Sequence, residues 1–205
     1  MELKKRIGIM GGTFDPPHLG HLVAAQAVLQ QLRLDKIVFL PTGNFKYKDS
    51  SMASAAEKRF EMTSLAISDN PDFEICDAET KEKECSYTFS TLSKLHTIYE
   101  NSHFFFIVGA DSLDYMDKWK NPDMIFKQCS VAAVGRSGFD AEACRKKAKE
   151  LEEKYNADIK IVSMPCIEIS STMIRQYVKT GKSIKYMVDD NVIEYINKQK
   201  LYLGD

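Results

Sequence analysis

GGTFDPPHLGH occupies residues 11–21 and follows the short apolar run Ile7-Gly8-Ile9-Met10. That run reads as a strand buried on both faces. Residues 21–32 then carry apolar side chains at helical spacing. A first strand therefore hands over to a first helix through a turn of glycines, prolines and histidines. In a parallel α/β sheet, this handover is where nucleotides bind.

Each residue type in the turn has a physical reason to be there. Gly11 and Gly12 let the backbone turn sharply and approach a ligand closely. Pro16 and Pro17 stiffen the loop and remove two amide donors. His18 and His21 are three apart, so they share a face if both lie in the first helical turn. A helix N-terminus adds N–H groups and partial positive charge, which suits phosphate. The structural alternative is that the imidazoles only pack. Against it, two of the four histidines in the chain crowd into this one turn.

The remaining sequence alternates in the same way. Residues 7–10, 37–40, 73–76, 104–108, 131–134 and 159–162 read as strands. Residues 21–32, 55–67, 88–99, 141–155, 172–178 and 191–198 read as helices. Alternating β and α predicts an α/β, Rossmann-like, doubly wound and mostly parallel sheet. The 205 residues form one expected domain, 1–205, with 170–205 as a small helical C-terminal subregion. Residues 41–54 and 77–86 read as polar loops at strand ends, where specificity usually resides.

Composition narrows the function classes. The chain is 44% hydrophobic and 28% charged, with net charge −1. Without basic excess, a nucleic-acid partner is not expected, and an anionic substrate must be met by local features. The five cysteines show no C-x-x-C pair or zinc spacing, as suits free thiols in a reducing compartment. No signal peptide is evident and no apolar run is long enough to span a bilayer, so the expected location is cytoplasmic, away from membranes. Periodicity leaves a homo-oligomer open.

Several further residues could carry chemistry, each with a plainer alternative. Ser170, Ser171 and Thr172 read as a helix start, where a serine can simply cap. Arg175, one turn in, adds a cation on a face that could meet an anion. Gly109 and Asp111 follow the strand at 104–108. A carboxylate there can bond a ribose hydroxyl or only cap the next helix. Trp119, the sole tryptophan, suits either stacking on a heterocycle or surface packing. Arg136, at the end of the strand at 131–134, suits bidentate contact with phosphate, and Arg59 and Lys48 can add positive charge or serve as ordinary surface cations. Gly181-Lys182-Ser183 looks like the tail of a P-loop, but the upstream glycine position holds Gln176 and no strand precedes it.

Taken together, GGTFDPPHLGH and the later Ile169-Ser170-Ser171-Thr172-Met173-Ile174-Arg175 resemble the paired signatures of the HxGH nucleotidyltransferase superfamily. Nearly the whole chain is similar to the bacterial nicotinate-nucleotide adenylyltransferase family. Pro41-Thr42-Gly43-Asn44, Arg59 with Met62, Ser86-Tyr87-Thr88, Gly109-Ala110-Asp111-Ser112, Trp119 and Val134-Gly135-Arg136 carry that likeness. The resemblance implies adenylyl transfer from ATP to nicotinate mononucleotide, with Mg²⁺ bound to ATP and no dedicated metal site on the protein. It implies that His18, His21 and Arg175 act on the reacting phosphates. Gly11, Gly12, Thr13, Phe14, Lys48, Gly109, Asp111, Arg136, Ser170, Ser171 and Thr172 are then expected to contact ATP and its phosphates. Tyr87, Thr88 and Trp119 are expected around the nicotinate nucleotide.

The chain departs from that family in two places. Pro-Thr-Gly-Asn commonly continues as Pro-Pro-His-Lys, whereas here Phe45-Lys46-Tyr47-Lys48 follows, retaining only the cation. Ser90 stands where the family often has Asp. Nicotinamide mononucleotide or phosphopantetheine as acceptor, and a non-catalytic nucleotide-binding regulator, are the competing expectations.

Overall fold

The computed structural model describes residues 4–43, 54–82, 86–136 and 141–203. Within them, β1 (Lys5–Gly12), β2 (Lys36–Pro41), β3 (Phe73–Ile75), β4 (Ser102–Gly109), β5 (Cys129–Arg136) and β6 (Ile159–Met164) form one sheet in the order β3-β2-β1-β4-β5-β6. Every neighbouring pair is parallel, so the expected mostly parallel sheet is parallel throughout its described strands. Strand order reverses between β1 and β4, which opens a crevice at their C-terminal ends. Gly11 and Gly109 stand at those two ends.

Side-chain alternation divides the interior into two layers. Phe105 and Ile107 of β4 join the core under α1 (Leu19–Gln31) and α2 (Ala56–Ala66). Phe104, Phe106 and Val108 join the core under α3 (Thr88–Ile98). That second layer also contains α4 (Ala110–Leu113), α5 (Pro122–Gln128) and α6 (Ala141–Tyr155). Both faces of the sheet are covered, as a parallel sheet requires. α7 (Ser171–Lys179) and α8 (Asp190–Lys198) belong to the first layer, through Ile174, Val192 and Ile196. The C-terminal helices thus share the core beside α1 and α2.

Two details differ from the sequence reading. Residues 110–128, given no regular structure there, hold α4, a 3₁₀ turn at Met116–Lys118 and α5. The apparent P-loop tail lies beyond α7. Gly181 there takes a φ of +69°, and the Lys182 amide bonds back to the Tyr177 carbonyl. It is a helix ending, with no phosphate-binding strand before it.

Candidate active site

The loop between β1 and α1 is shaped by close contacts. Phe14, with a φ of +50°, is buried against Phe39. A Cβ on Gly12 would come within 2.9 Å of its ring, so glycine makes the space for Phe14. His18 is the N-cap of α1 and His21 is its third residue. Their rings stack with centroids 3.7 Å apart. A Cβ on Gly20 would lie 3.0 Å from the His18 ring, which explains the glycine between the histidines.

The His18 amide donates to His21 Nδ1 at 3.2 Å. An accepting Nδ1 places the proton of a neutral imidazole on Nε2, which is then a donor. The helix N-terminus contributes less than the sequence suggests, because the Leu19 amide already donates to the Met187 carbonyl at 3.0 Å.

Two cavities flank the C-terminal end of β1. The first, about 320 Å³, is lined by Gly11, His18, His21, Gly109, Ser112, Trp119 and Ser170, with Val108, Val134 and Ile169 among its apolar walls. The second, about 230 Å³, is lined by Gly11, Gly12, Thr13, Thr42, Glu79, Thr88 and Trp119. Gly11, Phe106 and Trp119 belong to both. A smaller hollow of about 180 Å³ continues past Thr88 and Trp119 to Ser86, Tyr87 and Lys120. Trp119 stands edge-on to Phe106, with centroids 6.1 Å apart. It is partly buried at the junction of all three spaces, on the bend between the 3₁₀ turn and α5 and flanked by the exposed Lys118 and Lys120.

α7 arrives at the same loop from the other end of the chain. Ser170 caps it by accepting from the Met173 amide at 3.2 Å. Ser171 donates to the Pro16 carbonyl at 2.8 Å. Arg175 donates to the Asp15 carbonyl at 2.7 Å and to Thr172 Oγ1 at 3.2 Å. The two sequence signatures therefore touch. Asp111 is an exposed residue in the first turn of α4, and the linings of the three cavities do not include it. Arg136 ends β5 opposite Met164. Lys48, with the divergent loop 45–48, lies outside the described residues.

Arg59 is neither a surface cation nor a group open to phosphate. It is 2% exposed and donates to the Thr13 carbonyl at 2.9 Å, the Gly43 carbonyl at 3.0 Å and the Ser54 carbonyl at 3.0 Å. Burial lowers its pKa, opposed by nearby Asp15. It clamps the loop after β1 to the residues after β2.

The sequence model of the cytidylyltransferase-like family matches residues 9–177. A probable nicotinate-nucleotide adenylyltransferase of Lachnoclostridium phytofermentans is 41% identical over 199 residues, covering 97% of this chain and 100% of the relative. One from Caldicellulosiruptor saccharolyticus is 41% identical over 197 residues, covering 96% and 98%. The chain belongs to the nicotinate-nucleotide adenylyltransferase family. The fold also matches a Plasmodium falciparum nicotinic acid mononucleotide adenylyltransferase complexed with NaAD, with a TM-score of 0.78, 20% identity and 97% of each chain covered.

Among the described residues, the three buried thiols, Cys76, Cys129 and Cys144, are poor nucleophiles. Burial raises the pKa of Cys76 and Cys144, and pushes Cys129 up to about 12. The sequence reading also missed Glu79. Its carboxylate accepts from Thr91 Oγ1 at 2.7 Å and from the Gly43 amide, while burial lifts its pKa above the usual carboxylate range. No periodicity marked it, because residues 77–86 read only as a loop. Lys120 was likewise passed over as a flank of Trp119. Its Nζ sits 4.6 Å from the Tyr87 ring centroid, adding a cation beside the third hollow.

Proposed function

We propose that this chain joins ATP to nicotinate mononucleotide, forming nicotinate adenine dinucleotide and pyrophosphate. The observation that carries the reading is the pair of adjoining cavities at the β1/β4 crevice, sharing Gly11, Phe106 and Trp119. One cavity holds the stacked histidines, and its apolar walls suit adenine. The other leads past Thr88 and Trp119 toward Tyr87 and Lys120, where a pyridine ring and its carboxylate fit. Lys120 supplies the charge that favours the acid over the amide. The hydrogen-bonded Glu79 suits hydroxyl recognition.

The 5′-phosphate of the mononucleotide attacks the α-phosphorus of ATP as pyrophosphate leaves. This nucleophile is already anionic near neutral pH, since its second pKa is about 6. The reaction needs no protein nucleophile. The protein positions the reactants and stabilises developing charge. His18 and His21 act on the reacting phosphates, with Nε2–H of His21 the principal donor. Gly11, Gly12 and the Thr13 and Phe14 backbone let the mononucleotide and α-phosphate approach closely. Gly109 lets ribose or phosphate approach the first cavity, Asp111, exposed at the start of α4, accepts from a ribose hydroxyl, and Arg136 and Lys48 add positive charge. The Ser170 and Thr172 hydroxyls, the Ser171 backbone N–H at the start of α7 and the Arg175 guanidinium hold the departing pyrophosphate. Tyr87, Thr88 and Trp119 surround the nicotinate.

Mg²⁺ enters with ATP. Among the described residues, the first cavity offers imidazoles and hydroxyls but no carboxylate. That donor set fits a Mg²⁺ ligated by phosphates and water. No helix among the described residues is long and apolar enough to cross a membrane. We propose a cytoplasmic enzyme, as the scattered, unpaired cysteine set suits a reducing compartment.

The test is pyrophosphate release from MgATP with nicotinate mononucleotide, nicotinamide mononucleotide or phosphopantetheine. Strong preference for the first is expected. Preference for another acceptor overturns the pyridine assignment, and ATP binding without release under any condition replaces the enzyme with a nucleotide-binding regulator.

A further inference from the structure

Asp15 is 2% exposed and belongs to the loop that carries His18 and His21. A carboxylate buried this deeply is costly unless it is hydrogen-bonded. Tyr202, beyond α8, donates its hydroxyl to Asp15 Oδ1 at 2.5 Å. The Ser54 amide donates to Oδ2 at 3.1 Å. The Tyr202 backbone has a φ of +64°, which non-glycine residues seldom adopt. Its half-buried phenol also meets Met62 Sδ at 3.7 Å. A short bond from a neutral hydroxyl to a carboxylate is among the stronger hydrogen bonds a protein makes.

The same residue is gripped at its backbone. Arg175 bonds the Asp15 carbonyl, while Ser171 bonds the next carbonyl, that of Pro16. Side chain and main chain of this one loop residue are thus held by two separate C-terminal segments. Tyr202 lies outside residues 9–177, the part matched by the family's sequence model. It does not line either principal cavity.

We propose that Tyr202 is a positioning residue of the active site: through Asp15 it fixes the loop on which His18, His21 and Arg175 converge. This rests on the adenylyl-transfer reading. Misplaced donors harm the transition state more than ground-state binding, so the effect belongs in kcat.

The test uses the full chain with Tyr202→Phe, Asp15→Asn and the double variant. Folding is checked by circular dichroism and thermal melting. Tyr202→Phe is expected to lower kcat about tenfold or more, the scale of losing a hydrogen bond to a charged group, with KM for each substrate within about twofold. The double variant should be less impaired than the product of the single effects, since one change removes the Tyr202–Asp15 bond and the other removes the charge that strengthens it. A folded Tyr202→Phe protein with wild-type kcat overturns the proposal, as do single effects that simply multiply. The imidazole resonances of His18 and His21 in the substrate-free variant give a readout independent of turnover. They should move relative to the wild type. If the wild type transfers no adenylyl group, the functional reading falls, and these resonances alone decide the positioning role: moved signals support it, unmoved signals end it.

Discussion

His21 owes its donor to a single local bond. Because His18 N–H occupies Nδ1, Nε2 carries the proton of the neutral ring. His21→Ala is expected to reduce kcat by about 100-fold or more, the scale for one preorganised donor. Near-normal turnover by a folded variant would remove it from the reaction. This site was legible because both histidines fall within one helical turn, where sequence spacing fixes side-chain proximity. Arg59 was not legible in that way. An arginine on a predicted helix reads as a surface charge, yet this one satisfies carbonyls of three separate segments. Arg59→Met should destabilise the fold by about 3 kcal/mol or more, because it leaves buried carbonyls unmatched. That corresponds to a melting temperature lower by about 6–12 °C. Arg59→Lys should restore little, since an ammonium lacks the guanidinium fork. Wild-type melting of either variant would contradict the clamp.

Elements expose a second polar chain, at the opposite end of the sheet. His103 at the start of β4, Ser130 at the start of β5 and Asp158 just before β6 form a row. Ser130 Oγ donates to Asp158 Oδ2 at 2.6 Å, so the His103 Nε2 contact at 2.7 Å must be a donation from the imidazole. Burial lowers the His103 pKa from 6.5. Asp158 opposes that shift, while Arg6, Lys4 and His96 reinforce it. The unfolded chain therefore takes up the proton first. Stability from the neutral ring is complete above about pH 6.5 and declines as pH falls from there toward the lowered folded value. Urea midpoints at pH 7.5 and 5.5 should differ less for His103→Gln than for the wild type, and equal differences would refute the assignment. Elements longer than two helical turns were legible as periodic patterns. The four-residue α4 and seven-residue α5 were too short for periodicity to separate them from loop.

At the scale of the whole molecule, the sheet order creates the site. Right-handed βαβ units on either side of β1 and β4 turn their loops apart and leave a crevice between them. β1 supplies the glycine loop, β4 supplies Gly109, and α7 closes over Asp15 and Pro16. The C-terminal helices are part of the same core, so the two signatures meet through folding rather than through sequence proximity. If Mg²⁺ travels with ATP, a chelator should abolish turnover while leaving the melting temperature of the substrate-free protein within about 1 °C, because only ligands bound to the folded state raise it. A large drop in melting temperature would instead reveal a structural metal.

The sequence by itself determined the alternation of strands and helices, the turn at residues 11–21 and the pairing of His18 with His21. These depend on interactions a few residues apart, whose periods of two and 3.6 are visible in one dimension. Only the tertiary structure decided that β1 lies beside β4, that Arg59 is buried, that Glu79 faces the second cavity and that Tyr202 reaches Asp15. Those outcomes depend on which distant segments share a buried volume, and a carbonyl or carboxylate enclosed there must find its donor wherever the chain can bring one.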